Sequence, residues 1–463
     1  MKTGLKMCVN TQTPLVQFSG SREKTLEQSE KARPVANISE LVEGVDYRFS
    51  TGGVTRMVFP LVKRMLSDGF LEDAHWVSLN PSGPETIKVD GMTLHHILLE
   101  KERLSSYGNV KETIWGAIHG TGAETTDASN VKDIFWSDDF SEYAYYNRLS
   151  TELITKLDKQ CDFDLFYVHD FQQLAVGQML GTLKPKIFRW HIPFDDSMIP
   201  EEWREQLSSY FNNYDMIIVS CGKYLDSLKL FGYSGRVRKL YPFVDPRDFS
   251  KSSVEKIRDT GLKLGIHEDD KVVLVVARMD PMKGQDRAII ATASIATRFP
   301  RLKLVLVGNG SFSGSKQGLG LSKSARWRAE LERLAKQVGI EDRVILAGHL
   351  VQEELDALYE RSAFTMLPSV KEGFGLVAVE SWIHHKACLI TERAGVAEII
   401  EEGKNGMLVN PDDTKIFSEK MSRLLDDYEL TQKLAEEGFE TSKICSIEEG
   451  LKTETKIISE LVD

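Results

Sequence analysis

Two successive series of short β-rich runs, most followed by a stretch with helical spacing, constrain this chain more than any other feature. The first series contains HWVSLN, FDLFYVHD, KIFRWHI, DMIIVSC and VRKLYPF, with EEWREQLSSYFNN and KYLDSLKLFG between its later members. The second contains VVLVVARMD, LKLVLVGNG, RVILAGH, FTMLPSV, ACLITE and NGMLVNP, separated by GQDRAIIATASIATRF, RWRAELERLAKQVG and QEELDALYERS. A parallel neighbour needs a crossover connection, and a helix laid on the sheet supplies one while burying its own apolar face. Alternation of this kind therefore predicts two doubly wound, parallel α/β sheets. Between the series, YPFVDPRDFSKSS sets two prolines among polar residues and marks a linker near residues 241–253. The expected first domain covers residues 1–245 and the second 254–430, facing across a cleft, with residues 431–463 as a C-terminal helical segment.

Composition excludes several classes. A chain of 463 residues with 41% hydrophobic and 27% charged residues fits a globular protein with a sizeable core. Its formal net charge of -11 gives no global field toward nucleic acid or anionic lipid. Arg56, Lys63 and Arg64 on one helix read as a solvated face, so no membrane association is expected. Five widely spaced cysteines without CxxC argue against a disulfide framework or a zinc site and point to a reducing cytoplasm. The first ~40 residues read as a polar lead-in. After Gly52-Gly53, VTRMVFPLVKRML has helical spacing with a kink expected at Pro60.

In open α/β sheets, ligands bind beyond the carboxyl ends of the strands, so residues just after each strand are the candidates for chemistry. VVLVVA is followed by RMDPMKG, which offers Arg278 and Lys283; each alone is a solvated charge, and together they could clamp a diphosphate. FTMLPS is followed by KEGFGLVAVE. A helix starting near Gly375 would point the N–H groups of Phe374, Gly375, Leu376 and Val377 at an anion, and Gly373 and Gly375 would let it come close. Glu372 and Glu380 would then grip hydroxyls on either side of that diphosphate. Their bland readings are a helix-terminal anion and a solvated helix face. In the first series, His169-Asp170 ends one strand and Arg189, His191 and Asp195 follow the next; Gly52-Gly53 could bring amides near an anionic ligand.

RMDPMKG, KEGFGLVAVE and AGVAEII resemble the second domain of retaining glycosyltransferases with the GT-B fold, over roughly residues 270 to 412. VHDFQ, FRWHI and HIPF resemble the corresponding stretches of trehalose-forming and trehalose-phosphate synthases, and Gly52-Gly53 matches their glycine loop. The resemblance implies that Arg278 and Lys283 bind the donor diphosphate, Glu372 the donor sugar, Glu380 the ribose, and Gly373 to Val377 the phosphates. It places His191 near the transferred sugar and Asp170, Gln172 and Arg189 toward the acceptor, gives Asp195 no counterpart, and has the chain end pack back across the first domain.

The expected activity is transfer of a hexose, glucose by first choice, from a nucleotide-diphosphate sugar such as UDP-glucose or ADP-glucose to a small soluble sugar, with retention. Trehalose formation is the best single reading. No metal or further cofactor is expected, the nucleotide sugar being a co-substrate. Alternatives are a sugar phosphorylase, a transferase to another acceptor (sugar phosphate, glycerate or lipid), and a noncatalytic sugar-nucleotide sensor. A metal-dependent transferase would need a strand-end Asp-x-Asp, but Asp162 and Asp164 precede their strand; a dinucleotide oxidoreductase would need a third glycine where Ser313 stands. The Gly/Ser/Lys-rich stretch over 308–326 reads as a flexible insertion, with a lid or a homo-oligomer contact as the sharper readings.

Overall fold

The computed structural model describes residues 3–18, 36–50, 53–80, 83–119, 131–197, 199–308 and 319–462. The chain forms two units, Met1–Leu240 with Gly450–Asp463, and Tyr241–Glu449. Gly52 and residues 309–318 of the Gly/Ser/Lys-rich stretch lie outside the described residues.

Strands of the first unit are β1 (Leu5–Asn10), β2 (Val16–Phe18), β3 (Ala36–Asn37), β4 (Tyr47–Phe49), β5 (Leu71–Leu79), β6 (Thr86–Val89), β7 (Met92–Ile97), β8 (Leu165–His169), β9 (Lys186–Arg189), β10 (Met216–Val219) and β11 (Arg236–Lys239). Nine of them form one sheet in the order β11-β10-β9-β8-β1-β5-β7-β6-β3. Its central strand, β1, comes from the stretch read in sequence as a polar lead-in. LKMCVN hides its nature because Lys6 interrupts a short apolar run, yet that lysine donates its backbone N–H to Asp164 at 2.9 Å while its neighbours are buried. β8 is buried along its whole length, as a parallel strand covered on both faces must be.

β2 and β4 form a separate antiparallel pair, and within the nine-stranded sheet one pairing departs from the parallel rule. β6 runs antiparallel to β7 through Asp90-Gly91, whose φ values of 47° and 86° are those of a two-residue hairpin turn. The helix Gly53–Ser67 is continuous across Pro60. Loss of a backbone bond there costs ~3 kcal/mol, and burial of Met57, Val58, Leu61, Val62 and Met65, at roughly 1.5–3 kcal/mol for each large apolar side chain, more than offsets it. Lys63 on that helix is paired with Asp90 at 2.6 Å.

The second unit carries β12 (Lys271–Val276), β13 (Leu302–Val307), β14 (Val344–Gly348), β15 (Phe364–Leu367), β16 (Cys388–Thr391) and β17 (Met407–Val409), all parallel, in the order β14-β13-β12-β15-β16-β17. The stretch expected to be loop as far as residue 326 is already helical from Leu319, in the helix Leu319–Gln337. Among the described residues no helix is long and apolar enough to cross a membrane.

Strand order fixes where ligands can bind. In the second sheet the chain adds β13 and β14 on one side of β12, then returns to place β15 on the other. Such a reversal opens a crevice between the carboxyl ends of the two strands, here β12 and β15. The equivalent point in the first sheet lies between β1 and β8.

Candidate active site

Arg278 and Lys283 follow β12, and Glu372 follows β15, so the second unit's candidates flank its switch point. Backbone contacts bind the two turns together. Met282 O accepts from Val370 N at 2.9 Å, and Gly284, at φ +67°, lies so close that an added Cβ would stand 2.0 Å from Pro368 O. A third turn, after β16, joins through Gly395 N to Gly373 O at 3.1 Å and Val396 N to Phe374 O at 2.8 Å. In consequence Lys283 Nζ reaches Glu372 Oε2 at 2.8 Å, and Ser369 Oγ donates to the same oxygen at 3.0 Å. Burial alone would raise the Glu372 carboxyl; the Lys283 charge and hydrogen bond, the Ser369 hydroxyl and the nearby Arg278 charge outweigh it and hold the group below the usual carboxylate range.

The helix Leu376–Ile383 starts immediately after Gly375, which caps it at φ 100° with an added Cβ only 2.5 Å from Leu367 Cδ2. Its first turn leaves N–H groups without intrahelical acceptors, next to Lys283 and Arg278 in the same turn cluster. That combination suits a diphosphate. Phe374 is buried against Tyr241, with ring centroids 5.6 Å apart. Glu380 does not lie on a solvated helix face: it is buried, and its Oε2 accepts from Tyr359 Oη at 3.0 Å.

In the first unit, the ends of β8 and β9 bring His169 and His191 together, Nδ1 to Nε2 at 2.9 Å with ring centroids 5.2 Å apart. Asp170 is held between them by two bonds to β9 and the turn after it: its N–H donates to Arg189 O at 3.0 Å, and its Oδ1 accepts from His191 N at 2.8 Å. Its backbone, φ 61° and ψ 164°, occupies a region that glycine alone enters without strain. Burial pushes the Asp170 carboxyl up to about 7, against the downward pull of the His191 N–H and the Arg189 charge. Burial also holds His169 and His191 well below the ordinary imidazole range, with the Arg189 charge adding to it in both.

One expected position departs from the structure. Arg189 does not face an acceptor: it is 2% exposed, its Nη1 bonds Glu454 Oε2 at 2.5 Å and Tyr167 Oη at 3.4 Å, and a buried cation needs such a counter-charge. Gln172 stands half-buried in the short turn Phe171–Gln173, and Gly53 opens the helix Gly53–Ser67 on its exposed side. Asp195 accepts from Ser197 N at 3.2 Å and Ser197 Oγ at 2.6 Å, a local turn bond. Ser369, Tyr359 and Glu454 escaped the sequence reading. A hydroxyl three residues before Glu372 was the one available signal.

Residues 258–441 match the family Glycosyl transferases group 1, and residues 136–226 match Trehalose synthase, N-terminal domain, together more than half of the chain. The chain carries a glycosyl transferases group 1 domain and has the GT-B fold.

The chain is 27% identical over 243 residues to a D-inositol 3-phosphate glycosyltransferase of Corynebacterium urealyticum, a match covering 52% of this chain and 55% of that one. About half the length of the curated relatives it matches first is spanned in this way. Among solved structures it resembles a UDP-forming alpha,alpha-trehalose-phosphate synthase from Burkholderia xenovorans, with a TM-score of 0.72, 17% identity and coverage of 99% and 100% of the two chains. A sucrose-phosphate synthase from Thermosynechococcus elongatus gives a TM-score of 0.68 at 17% identity, covering 99% of each chain. At that identity the likeness establishes the fold. The group 1 match contains Arg278, Lys283, Glu372 and Glu380, and the trehalose synthase match contains Asp170, Gln172, Arg189 and His191.

Proposed function

We propose that the glycosyltransferase moves a hexose, glucose by first choice, from a nucleotide-diphosphate sugar to a small soluble sugar with retention, and that the product is trehalose. The observation that carries this reading is the Lys283–Glu372 pair at 2.8 Å, set beside Arg278 and a helix N-terminus at the sheet's switch point. A cation and free amides suit the diphosphate, while a carboxylate kept ionised by its neighbours suits the hydroxyls of the sugar it carries.

Chemistry would then run on charge stabilisation. Arg278, Lys283 and the first turn of the helix Leu376–Ile383 offset charge developing on the leaving diphosphate, which itself takes the acceptor proton. Glu372 orients the hexose through hydroxyl hydrogen bonds, and Glu380, steadied by Tyr359, holds the ribose. In the first unit, Asp170 would accept a hydrogen bond from a hydroxyl of the acceptor. No protein nucleophile is needed. Because side-chain cations and amides would carry the diphosphate charge, activity is expected to survive excess EDTA. None of the five cysteines is in a disulfide, which favours a reducing compartment and a cytoplasmic setting.

Glucose is the acceptor favoured by the match to the trehalose synthase N-terminal domain. A phosphorylated acceptor is the second reading, favoured by the names of the inositol-phosphate and trehalose-phosphate relatives. The test crosses UDP-, ADP- and GDP-glucose with glucose, glucose 6-phosphate, fructose, glycerate and inositol phosphate, with products read by mass and anomeric configuration by NMR. An α-linked disaccharide from glucose supports the proposal; transfer only to a phosphorylated sugar selects the second reading. No binding of any nucleotide sugar by calorimetry on folded protein would overturn both.

A further inference from the structure

A histidine that touches substrate can offer either a hydrogen-bond donor or an acceptor, and which it offers is set by what its other nitrogen does. His191 Nε2 faces His169 Nδ1 at 2.9 Å, so one of these two nitrogens carries the shared proton and the other a lone pair. The choice falls to the far side of His169. That ring is 1% exposed, its Nε2 has no hydrogen-bond partner, and the buried Arg189 cation acts on it. A proton on His169 Nε2 would be a buried N–H without an acceptor, placed in the field of a positive charge; a lone pair there is favoured by the same field. His169 therefore keeps its proton on Nδ1 and gives it to His191 Nε2, and His191 must carry its own proton on Nδ1. Tyr167, whose ring lies 4.2 Å from that of His169, and Glu454, which neutralises Arg189, complete the support beneath the pair.

We propose that His169 is a positioning residue: by donating to His191 Nε2 it fixes His191 in the Nδ1–H form, so that His191 meets the transferred sugar or acceptor as a hydrogen-bond donor. A sugar hydroxyl or ring oxygen then accepts from it, and an oxygen is required at that place. Fluorine could replace such a hydroxyl with partial loss, a methyl group could not. The substrate half of this statement rests on the glycosyltransfer reading, whereas the proton placement does not.

Nitrogen-15 NMR of the histidine-labelled free protein, with His169 and His191 assigned by substitution, reads the proton directly. The expected result is a protonated-type shift for His191 Nδ1 and an unprotonated-type shift for His191 Nε2. The reverse pattern overturns the proposal whatever the enzyme transfers. As a second arm, His169→Asn keeps an N–H donor at the Nδ1 position and His169→Leu removes it. With UDP-glucose as donor, His169→Leu should lower kcat roughly 10- to 100-fold, the range for partners that orient a working imidazole. His169→Asn should restore most of that loss, and calorimetric binding of UDP should not change in either variant. Equal kcat in the wild type and His169→Leu would also overturn it. The expected NMR pattern in a protein that turns over no nucleotide sugar would support the proton placement while sinking the proposed reaction, so the two failures are told apart.

Discussion

Lys283 Nζ stands 2.8 Å from Glu372 Oε2, a cation from the turn after β12 against a carboxylate from the turn after β15. Strands adjacent at a switch point deliver this contact, and it is the centre of the donor-site reading. Glu372→Gln keeps the side-chain shape and the hydrogen bond from Ser369 but removes the charge. Turnover should fall roughly 10²- to 10³-fold, as for loss of a group acting on the transition state, with the denaturant midpoint little changed. Steady-state rates beside a urea melt check it, and near-normal turnover removes Glu372 from the site.

Asp170 links stability to pH in an unusual direction for a carboxyl. Its pKa rises from 3.8 to about 7 on folding because burial disfavours the anion. Below pH 3.8 both folded and unfolded chains hold the proton; as pH rises toward 7 only the unfolded chain releases it, so folding stability declines across that window. Asp170→Asn removes the effect and keeps an acceptor for the His191 N–H. The variant should match wild type near pH 3.5 and exceed it at pH 8, by up to about 4 kcal/mol at 1.36 kcal/mol per pKa unit. Urea melts at both pH values measure this. In the wild type, kcat/KM should climb through pH 7 as the carboxylate forms, and that limb should vanish in the variant.

Arg189 and Glu454 are an ion pair with side chains only 3% and 0% exposed. Glu454→Ala strands a buried cation and should destabilise the first unit by about 3–5 kcal/mol. Replacing both residues by Met removes both charges and should recover most of that loss. Melts of the single and double variants decide it; an additive loss would mean that the pair is not coupled.

Gly284 and Gly339 have similar backbones, φ +67° and +74°, but differ in surroundings: an added Cβ meets Pro368 O at 2.0 Å in the first case and nothing within 4 Å in the second. Gly339→Ala should cost only the left-handed backbone penalty of about 1–2 kcal/mol. Gly284→Ala must in addition push the two turns apart, and should abolish calorimetric binding of UDP, which Gly339→Ala leaves intact.

Much of the second unit is legible in sequence because fully buried parallel strands are almost purely apolar, so VVLVVA and FTML announce themselves and the charged residues after them fall at strand ends. Arg278, Lys283 and Glu372 were placed on that basis. β1 was not legible: six residues with a lysine among them carry too little signal, and only pairing with β5 and β8 reveals a central strand. The hairpin signal Asp90-Gly91, flanked by alternating residues in TIKV and MTLHHI, was available and unread. Arg189 was misplaced for a deeper reason. Position at a strand end says that a side chain is near a ligand crevice, but whether it points there or into the core depends on a counter-charge that stands 265 residues away. Nothing local in TETK marks Glu454 as that partner.

The same separation bears on synthesis by the ribosome. Residues 1–240 emerge first and can pair their strands, but the guanidinium beneath His169 has no carboxylate to neutralise it until residue 454 has been translated, after the whole of residues 241–449. The ion pair that closes the first unit's core can therefore form only after the second unit has been synthesised. A nascent chain halted before residue 450 should be markedly more protease-sensitive in its first half than the released protein.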